Sequence, residues 1–375
     1  MIAWIALFVI LAQLVIGLLY IQFVVAWVLL RFFWKDHSKP IKEDFPKVSV
    51  LIAARNEEKD LPDLLRSFEK LDYPSDRIQF LFADDQSSDA TAEILTDWCG
   101  RMPNRTFLTV SSSQTGFYNQ NGKANALAIL EEKATGEYYF FTDADCEVNP
   151  NWIREGVSCF SKNVGLLIGI TQVKATSLLE KFQEVDWWLT LGFVKVATDM
   201  RIQTTGLGNN MVISKEAYEK SGGFKDLPFC LTEDLEISRA IQKSGFKIAH
   251  QVSSKMLAIT KPEVSFKALL DQRKRWMSGV MTLPVYWKLI LAIQVVYFVA
   301  AIGLIVLKPS LGLSLALFKS LLQGIFLIGL TSKVRVKINW LYLLVFDFYN
   351  FCTTVLTILY YFWPSKTKWK TRVYQ

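Results

Sequence analysis

Residues 1–30 contain no charged side chain. As a helix rising about 1.5 Å per residue, such a stretch exceeds the roughly 30 Å hydrocarbon core of a bilayer. The rest of the chain is therefore expected to be tethered to a membrane. A cleavable leader needs a basic start and a small-residue cleavage site. This segment begins Met1-Ile2-Ala3-Trp4, so residues 1–34 are expected to form a permanent anchor. Three more apolar stretches, 289–307, 311–331 and 338–363, predict three transmembrane helices over 287–363, followed by a basic tail at 364–375. Lys319 and Asp347 stand alone inside two of them. Isolated charges are costly in a bilayer, so they are expected to face the bundle interior and pair, the alternative being that 311–331 does not span. If 338–363 spans, Lys333, Arg335 and Lys337 lie across the membrane from Lys366, Lys368, Lys370 and Arg372, although basic loops favour the cytoplasm. Three spans with the tail outside are expected.

The chain is 51% hydrophobic and 21% charged, too apolar for an ordinary soluble enzyme and too charged to be wholly membrane-embedded. Its net charge of +7 sits beside apolar segments, at Arg31, Lys35, Lys39 and Lys42 and again at Lys333, Arg335 and Lys337. That pattern suits lipid headgroups and excludes nucleic acid as an expected partner. The cysteines form no CxxC pair and fit a reduced compartment. His37 and His250 lack zinc-site spacing, and His250 is expected as a structural residue in a strand.

A polar linker, Pro40 to Pro46, leads into the apolar run VSVLIAA after Lys47. Similar runs recur at 78–83, 106–110, 138–142 and 165–170, with helical patterns at Glu57–Lys70, Ala90–Trp98 and Lys123–Lys133 between them. This alternation predicts an α/β domain with a mostly parallel sheet over 46–262, whose ligands bind beyond the carboxyl ends of the strands. Residues 176–200 predict an amphipathic helix, either buried or lying on the membrane. A second such region, 263–286, is expected at the interface.

Four motifs carry the chemistry. Asp143-Ala144-Asp145 follows a strand, where alternation directs both carboxylates to one side. Mg2+ or Mn2+ takes oxygen ligands and bridges carboxylates to substrate phosphates. Asp84 and Asp85 end another strand beside Ala54-Arg55-Asn56-Glu57 and suit nucleoside contacts, while Asp89 is placed to cap a helix. Thr232-Glu233-Asp234 opens a helix over Leu235–Gln242, with Thr232 as the expected cap and Asp234 as a base for an acceptor hydroxyl. In Gln272-Arg273-Lys274-Arg275-Trp276, Arg275 suits a leaving diphosphate and Trp276 a sugar or acceptor. Lys274, and with it Arg273, is adequately explained as snorkelling to headgroups. Gly206-Leu207-Gly208-Asn209-Asn210 offers flexible backbone and two amides for hydroxyls.

In this order the motifs resemble the membrane-bound inverting family-2 glycosyltransferases, which include cellulose, hyaluronan and poly-N-acetylglucosamine synthases and ceramide glucosyltransferases. The resemblance covers roughly residues 47–280. It implies a GT-A fold flanked by transmembrane helices, a UDP-linked nucleotide-sugar donor carrying a hexose or N-acetylhexosamine, and Mg2+ or Mn2+. Carried over, Ala54, Arg55, Asn56, Glu57, Asp84, Asp85, Lys123 and Asp143 bind the donor, and Asp145 holds the metal. Asp234 is the base, with Glu233 and Arg275 also catalytic. Gly208, Asn209, Asn210, Gln272, Arg275 and Trp276 line the diphosphate and acceptor. The chain departs from the family at Ala53, where Pro is frequent, and at Gln86 and Ser88, within a segment that often reads Asp-Asp-Gly-Ser-Thr-Asp. Expected partners are the donor, a lipid or glycan acceptor and the bilayer, with room for a small accessory membrane subunit. The expected location is a bacterial inner membrane with the catalytic domain in the cytosol. A processive polysaccharide synthase with export and an inactive sugar-binding subunit are the alternatives.

Overall fold

The computed structural model describes residues 2–40, 45–370 and 372–374. Lys42, positions 41–44 of the expected linker, and Thr371 and Gln375 of the basic tail lie outside them. The helices are α1 (Ile2–Phe32), α2 (Leu61–Phe68), α3 (Thr91–Gly100), α4 (Gly122–Glu131), α5 (Trp152–Ser158), α6 (Leu178–Asp199), α7 (Lys215–Ser221), α8 (Glu233–Lys243), α9 (Phe266–Met281), α10 (Val285–Leu307), α11 (Pro309–Thr331) and α12 (Trp340–Phe362). The strands that matter here are β1 (Val48–Ala54), β2 (Ile78–Asp84), β3 (Arg105–Thr109), β4 (Tyr138–Phe141), β5 (Cys146–Val148), β6 (Val164–Ile168), β7 (Ile170–Val173), β8 (Met211–Ser214), β9 (Lys247–His250) and β10 (Leu257–Thr260). The chain forms two compact units, one of residues 1–34, 175–196 and 263–375, the other of 35–174 and 197–262.

In the second unit, seven strands lie in the order β3-β2-β1-β4-β8-β6-β9. The first four are parallel, β8 runs antiparallel to both its neighbours, and β9 is parallel to β6. Val50, Ile52, Phe80, Phe82 and Phe140 are buried in a core shared with Leu64, Phe68, Trp98 and Trp152. Two-sided burial explains why these strands read as unbroken apolar runs. The run 165–170 is not one strand. Gly169 divides it into β6 and β7, and β7 joins a second sheet of order β5-β10-β7. A Cβ at Gly169 would lie 2.2 Å from Asn210 Oδ1, so only glycine fits this close approach.

In the first unit, among the described residues, four helices are long and apolar enough to cross a membrane: α1, α10, α11 with its 3-10 extension, and α12. The buried face of α1 carries Val9, Ala12, Ile16, Leu19, Phe23, Ala26 and Leu30, the three- and four-residue spacing of one helical stripe. Lys308 alone separates α10 from α11, which makes them a tight hairpin. As expected, Lys319 and Asp347 form an ion pair, and Ser320 Oγ adds a 3.1 Å bond to Asp347. Gln323 accepts from Lys319 at 2.7 Å.

The end of α12 departs from expectation. Tyr360 donates to Asp271 of α9 at 2.6 Å, and Lys274 of α9 donates to the carbonyls of Trp363 (3.1 Å) and Ser365 (2.9 Å). The tail thus begins beside α9, which only residues 282–284 separate from the start of α10, whereas three successive crossings place it at the far end of the bundle. Lys274 and Arg273 also differ from the snorkelling expectation. Lys274 is buried, and Arg273 pairs with Asp186 on α6 at 2.5 Å.

Candidate active site

The site is built at the carboxyl ends of β1, β2 and β4. Ala54 and Asp84 are partners in the ladder, so the segments leaving β1 and β2 are adjacent. Ala54 is buried and presents no side chain outward; its carbonyl accepts the Asp85 amide at 2.8 Å. Asn56 and Gln86 both adopt left-handed backbone, with φ of 53° and 59°. Gln86 stands where the related families often carry Gly, and left-handed backbone is what makes Gly favourable there. The two turns are tied together, Asn56 N donating to Ser87 Oγ at 2.9 Å and Asn56 Oδ1 accepting Ser88 N at 2.8 Å. Asp84 and Asp85 are both buried. Asp84 accepts the Ser87 amide, while Asp85 lies 3.9 Å from Arg55. Asp89 stands one residue before the cap position of α3. It accepts the amides of Thr91 and Glu58, and these bonds outweigh burial and hold its carboxyl below the ordinary value.

Asp143-Ala144-Asp145 is a turn between β4 and β5, so strand alternation does not govern it. Its carboxylates meet different cations. Lys123 Nζ stands 2.5 Å from Asp143 Oδ1 and 3.1 Å from Glu233 Oε1. Lys261 stands 3.7 Å from Asp145 Oδ2. Lys123 is placed by the N-cap of α4, where Asn121 Oδ1 accepts the amides of Lys123 and Ala124 while its Nδ2 donates to Cys230 O and Glu233 Oε2. Burial lowers the Lys123 ammonium, but Asp143 and Glu233 outweigh it and hold the pKa above its ordinary value.

Asp234 follows in the first turn of α8. Thr232 occupies the cap position without making the expected side-chain bond. Asp234 instead accepts the Gly208 amide at 3.1 Å and the Leu235 amide at 2.9 Å. Burial and then Glu233 push its carboxyl up to about 6, against the opposing pull of Lys123 and the two amides. A Cβ on Gly208 would lie 3.0 Å from Lys123 Nζ, so this glycine brings backbone against the charged cluster.

Asn210 is not available to an acceptor. It is fully buried, accepts Trp152 Nε1 at 2.9 Å and donates to the carbonyls of Ile170 and Met256, both at 2.9 Å. Asn209 is partly exposed; its carbonyl accepts Thr142 Oγ1 and its Oδ1 accepts Thr171 Oγ1. His250 is fully buried at the end of β9.

Among the described residues no group of three or more His, Cys, Asp or Glu side chains gathers to hold a metal. The Asp143–Asp145 turn instead offers one or two carboxylates that keep accessible surface, 37% and 21%. That hard-oxygen set fits Mg2+ or Mn2+, which usually completes its shell with substrate phosphates and water.

The last motif lies in the other unit, on α9. Gln272 donates to Glu263 at 2.8 Å, Trp276 packs on Trp187 with ring centroids 5.4 Å apart, and Arg275 is half-buried.

A mostly parallel sheet with a carboxylate turn and a helix-start carboxylate beyond its strand ends fits a GT-A glycosyltransferase. The chain belongs to Glycosyl transferase family 21, whose model matches residues 7–375. That number differs from the family-2 type that the motifs resemble; the GT-A class is common to both. A beta-monoglucosyldiacylglycerol synthase of Trichormus variabilis is 27% identical over 68% of this chain and 54% of its own length. A poly-beta-1,6-N-acetyl-D-glucosamine synthase of Staphylococcus epidermidis is 27% identical over 62% of this chain and 54% of its own length. The chain thus spans about half the length of these curated relatives. A solved mannosyltransferase from Pyrobaculum calidifontis, in complex with GDP-Man and Mn2+, shares the fold with a TM-score of 0.63 at 15% identity, covering 96% of this chain and 100% of its own.

Proposed function

We propose that this chain is an inverting membrane glycosyltransferase that moves a hexose or N-acetylhexosamine from a UDP-linked sugar to the hydroxyl of a lipid. The observation that carries the reading is the convergence of Lys123, Asp143, Glu233 and Asp234 beyond the strand ends, with Asp234 held as a near-neutral base. Asp234 takes the proton of the acceptor hydroxyl, and the oxygen attacks the anomeric carbon opposite the diphosphate. The new C–O bond forms as the bond to the diphosphate breaks, and the anomeric configuration inverts. Glu233 keeps Asp234 basic, while Lys123 balances the cluster and faces the donor.

Arg55, Asn56, Glu57, Asp84 and Asp85 frame the nucleoside end, and Asp143 the donor sugar. Asp145 would hold Mg2+ or Mn2+, which supplies charge neutralisation for the departing diphosphate. Gln272, Arg275 and Trp276 serve the diphosphate and acceptor, with Gly208 and Asn209 beside the base. The catalytic unit faces the cytosol, and the four apolar helices hold it in the membrane.

The test is incubation of the purified protein with UDP-sugars and a panel of membrane lipids, including diacylglycerol. Mass spectrometry reads the product, and NMR its anomeric configuration. Asp234→Asn, with an unchanged melting temperature, is expected to abolish transfer; full activity in that variant refutes the assignment of the base. A second reading, processive glycan synthesis, draws on the likeness to the poly-N-acetylglucosamine synthase, and a ladder of oligosaccharides in the same assay would favour it.

A further inference from the structure

Lys261 has no role in the transfer step, yet it occupies a central place. It directly follows β10, and its ammonium pairs with Asp60 while standing 3.6 Å from Glu57 Oε2 and 3.7 Å from Asp145 Oδ2. Glu57 is buried, Asp60 and Asp145 are half-buried, and they come from two separate segments of the chain. Glu57 and Asp60 lie between β1 and α2, and Asp145 lies in the turn after β4. Lys261 is therefore a cation shared by these two segments.

We propose that Lys261 is the resting counter-charge of Asp145, and that it makes divalent-cation binding depend on the diphosphate. This rests on the reading of Asp145 as a metal ligand. A divalent cation on Asp145 shares that carboxylate with an ammonium already beside it. Two cations at one carboxylate repel, and repulsion at such separations is strong where water is partly excluded. The cost is offset when a nucleoside diphosphate brings its negative charges to the same place. Lys261 then keeps Asp60 and Glu57 as its partners, so its release from Asp145 leaves no ammonium stranded. The expected behaviour is weak metal binding in the donor-free protein and strong binding with the diphosphate, so that metal and nucleotide arrive as a pair.

The experiment is a Mn2+ titration of the detergent-purified full chain, followed by the EPR signal of free Mn2+, with and without UDP. Lys261→Met is expected to bind Mn2+ at least about ten-fold more tightly than the parent protein without nucleotide, a difference of about 1.4 kcal/mol. The gain in affinity on adding UDP is expected to shrink correspondingly. Lys261→Arg, which keeps the charge, stays weak. If Lys261→Met melts far below the parent, Lys261→Gln replaces it. Equal Mn2+ affinity in the parent and the neutral variants, with Asp145→Asn lowering it in both, overturns the role of Lys261 alone. Mn2+ binding that ignores Asp145→Asn in every background overturns this proposal together with the metal reading.

Discussion

Lys123→Met removes the ammonium that stands between Asp143 and Glu233, and the cost follows from how each pair is buried. The Asp143 side chain is 37% exposed, so its share falls in the surface range of roughly 0–1 kcal/mol. Glu233 is 11% exposed and 3.1 Å away, and Lys123 itself is 14% exposed. Stranding one partner of a buried pair costs about 3–5 kcal/mol, less where some water enters. The sum is about 3 kcal/mol at pH 8, a fall of about 6–12 °C in melting temperature at the two to four degrees per kcal/mol of a larger domain. The sign with pH is fixed. Asp234 already has a folded pKa raised to about 6, and losing Lys123 removes a group that lowers it. A carboxyl with a raised folded pKa contributes stability that is full below its unfolded value and lost as pH rises through the folded one. The melting difference between variant and parent is therefore large at pH 8 and shrinks towards pH 5, where Asp234 takes up its proton. Scanning fluorimetry of both proteins across that range measures it. A difference that stays constant, or grows on acidification, refutes the electrostatic account of this cluster.

Further outcomes follow from other contacts. With Asp234 as the proposed base, the rate of transfer is expected to fall as pH drops through about 6, read from initial rates in the product assay. Asn210→Ala strands Trp152 Nε1 and two buried carbonyls at about 1–3 kcal/mol each, so it is expected to collapse stability, whereas Asn209→Ala leaves the melting temperature within a few degrees. Lys319→Leu alone strands Asp347 and costs about 3–5 kcal/mol, whereas Lys319→Leu with Asp347→Leu recovers most of it, as judged by monodispersity and melting in detergent. With Cys230 and Cys352 replaced, a cysteine at Lys370 is expected to label with impermeant maleimide from the same side as one at Arg335 and from the opposite side to one at Lys308. Labelling together with Lys308 would restore the three-span topology.

The sequence was most legible where a local rule applied. Buried parallel strands show as apolar runs, and chain polarity fixes which end of each run carries Asp84 and Asp85 or Asp143 and Asp145, so the placement of these carboxylates at the carboxyl ends of β2 and β4 is legible. Lys319 and Asp347 were legible because lipid leaves a charge few alternatives. The misreadings share a cause. Asn210 resembles a loop amide until Trp152, Ile170 and Met256 close around it, and these partners lie 40 to 58 residues away in sequence. Lys261 depends on carboxylates 116 or more positions upstream, since 261 minus 145 is 116, and no local pattern announces such a pairing. The run 165–170 hid its break at Gly169 because residues on both sides are buried. Lys274 looked like an interfacial lysine, and only the return of α12 to α9 gives it carbonyls to hold.

The Lys319–Asp347 pair also has a consequence for biogenesis. Its members are 28 positions apart on successive helices. While the chain is being made, α11 leaves the ribosome with an ammonium near its middle and no carboxylate yet to answer it. Lone charges are expensive in lipid, so α11 gains little by moving into the bilayer before α12 has been synthesised. The two helices should therefore integrate together, and a nascent chain that stops short of Asp347 should leave α11 waiting at the insertion machinery.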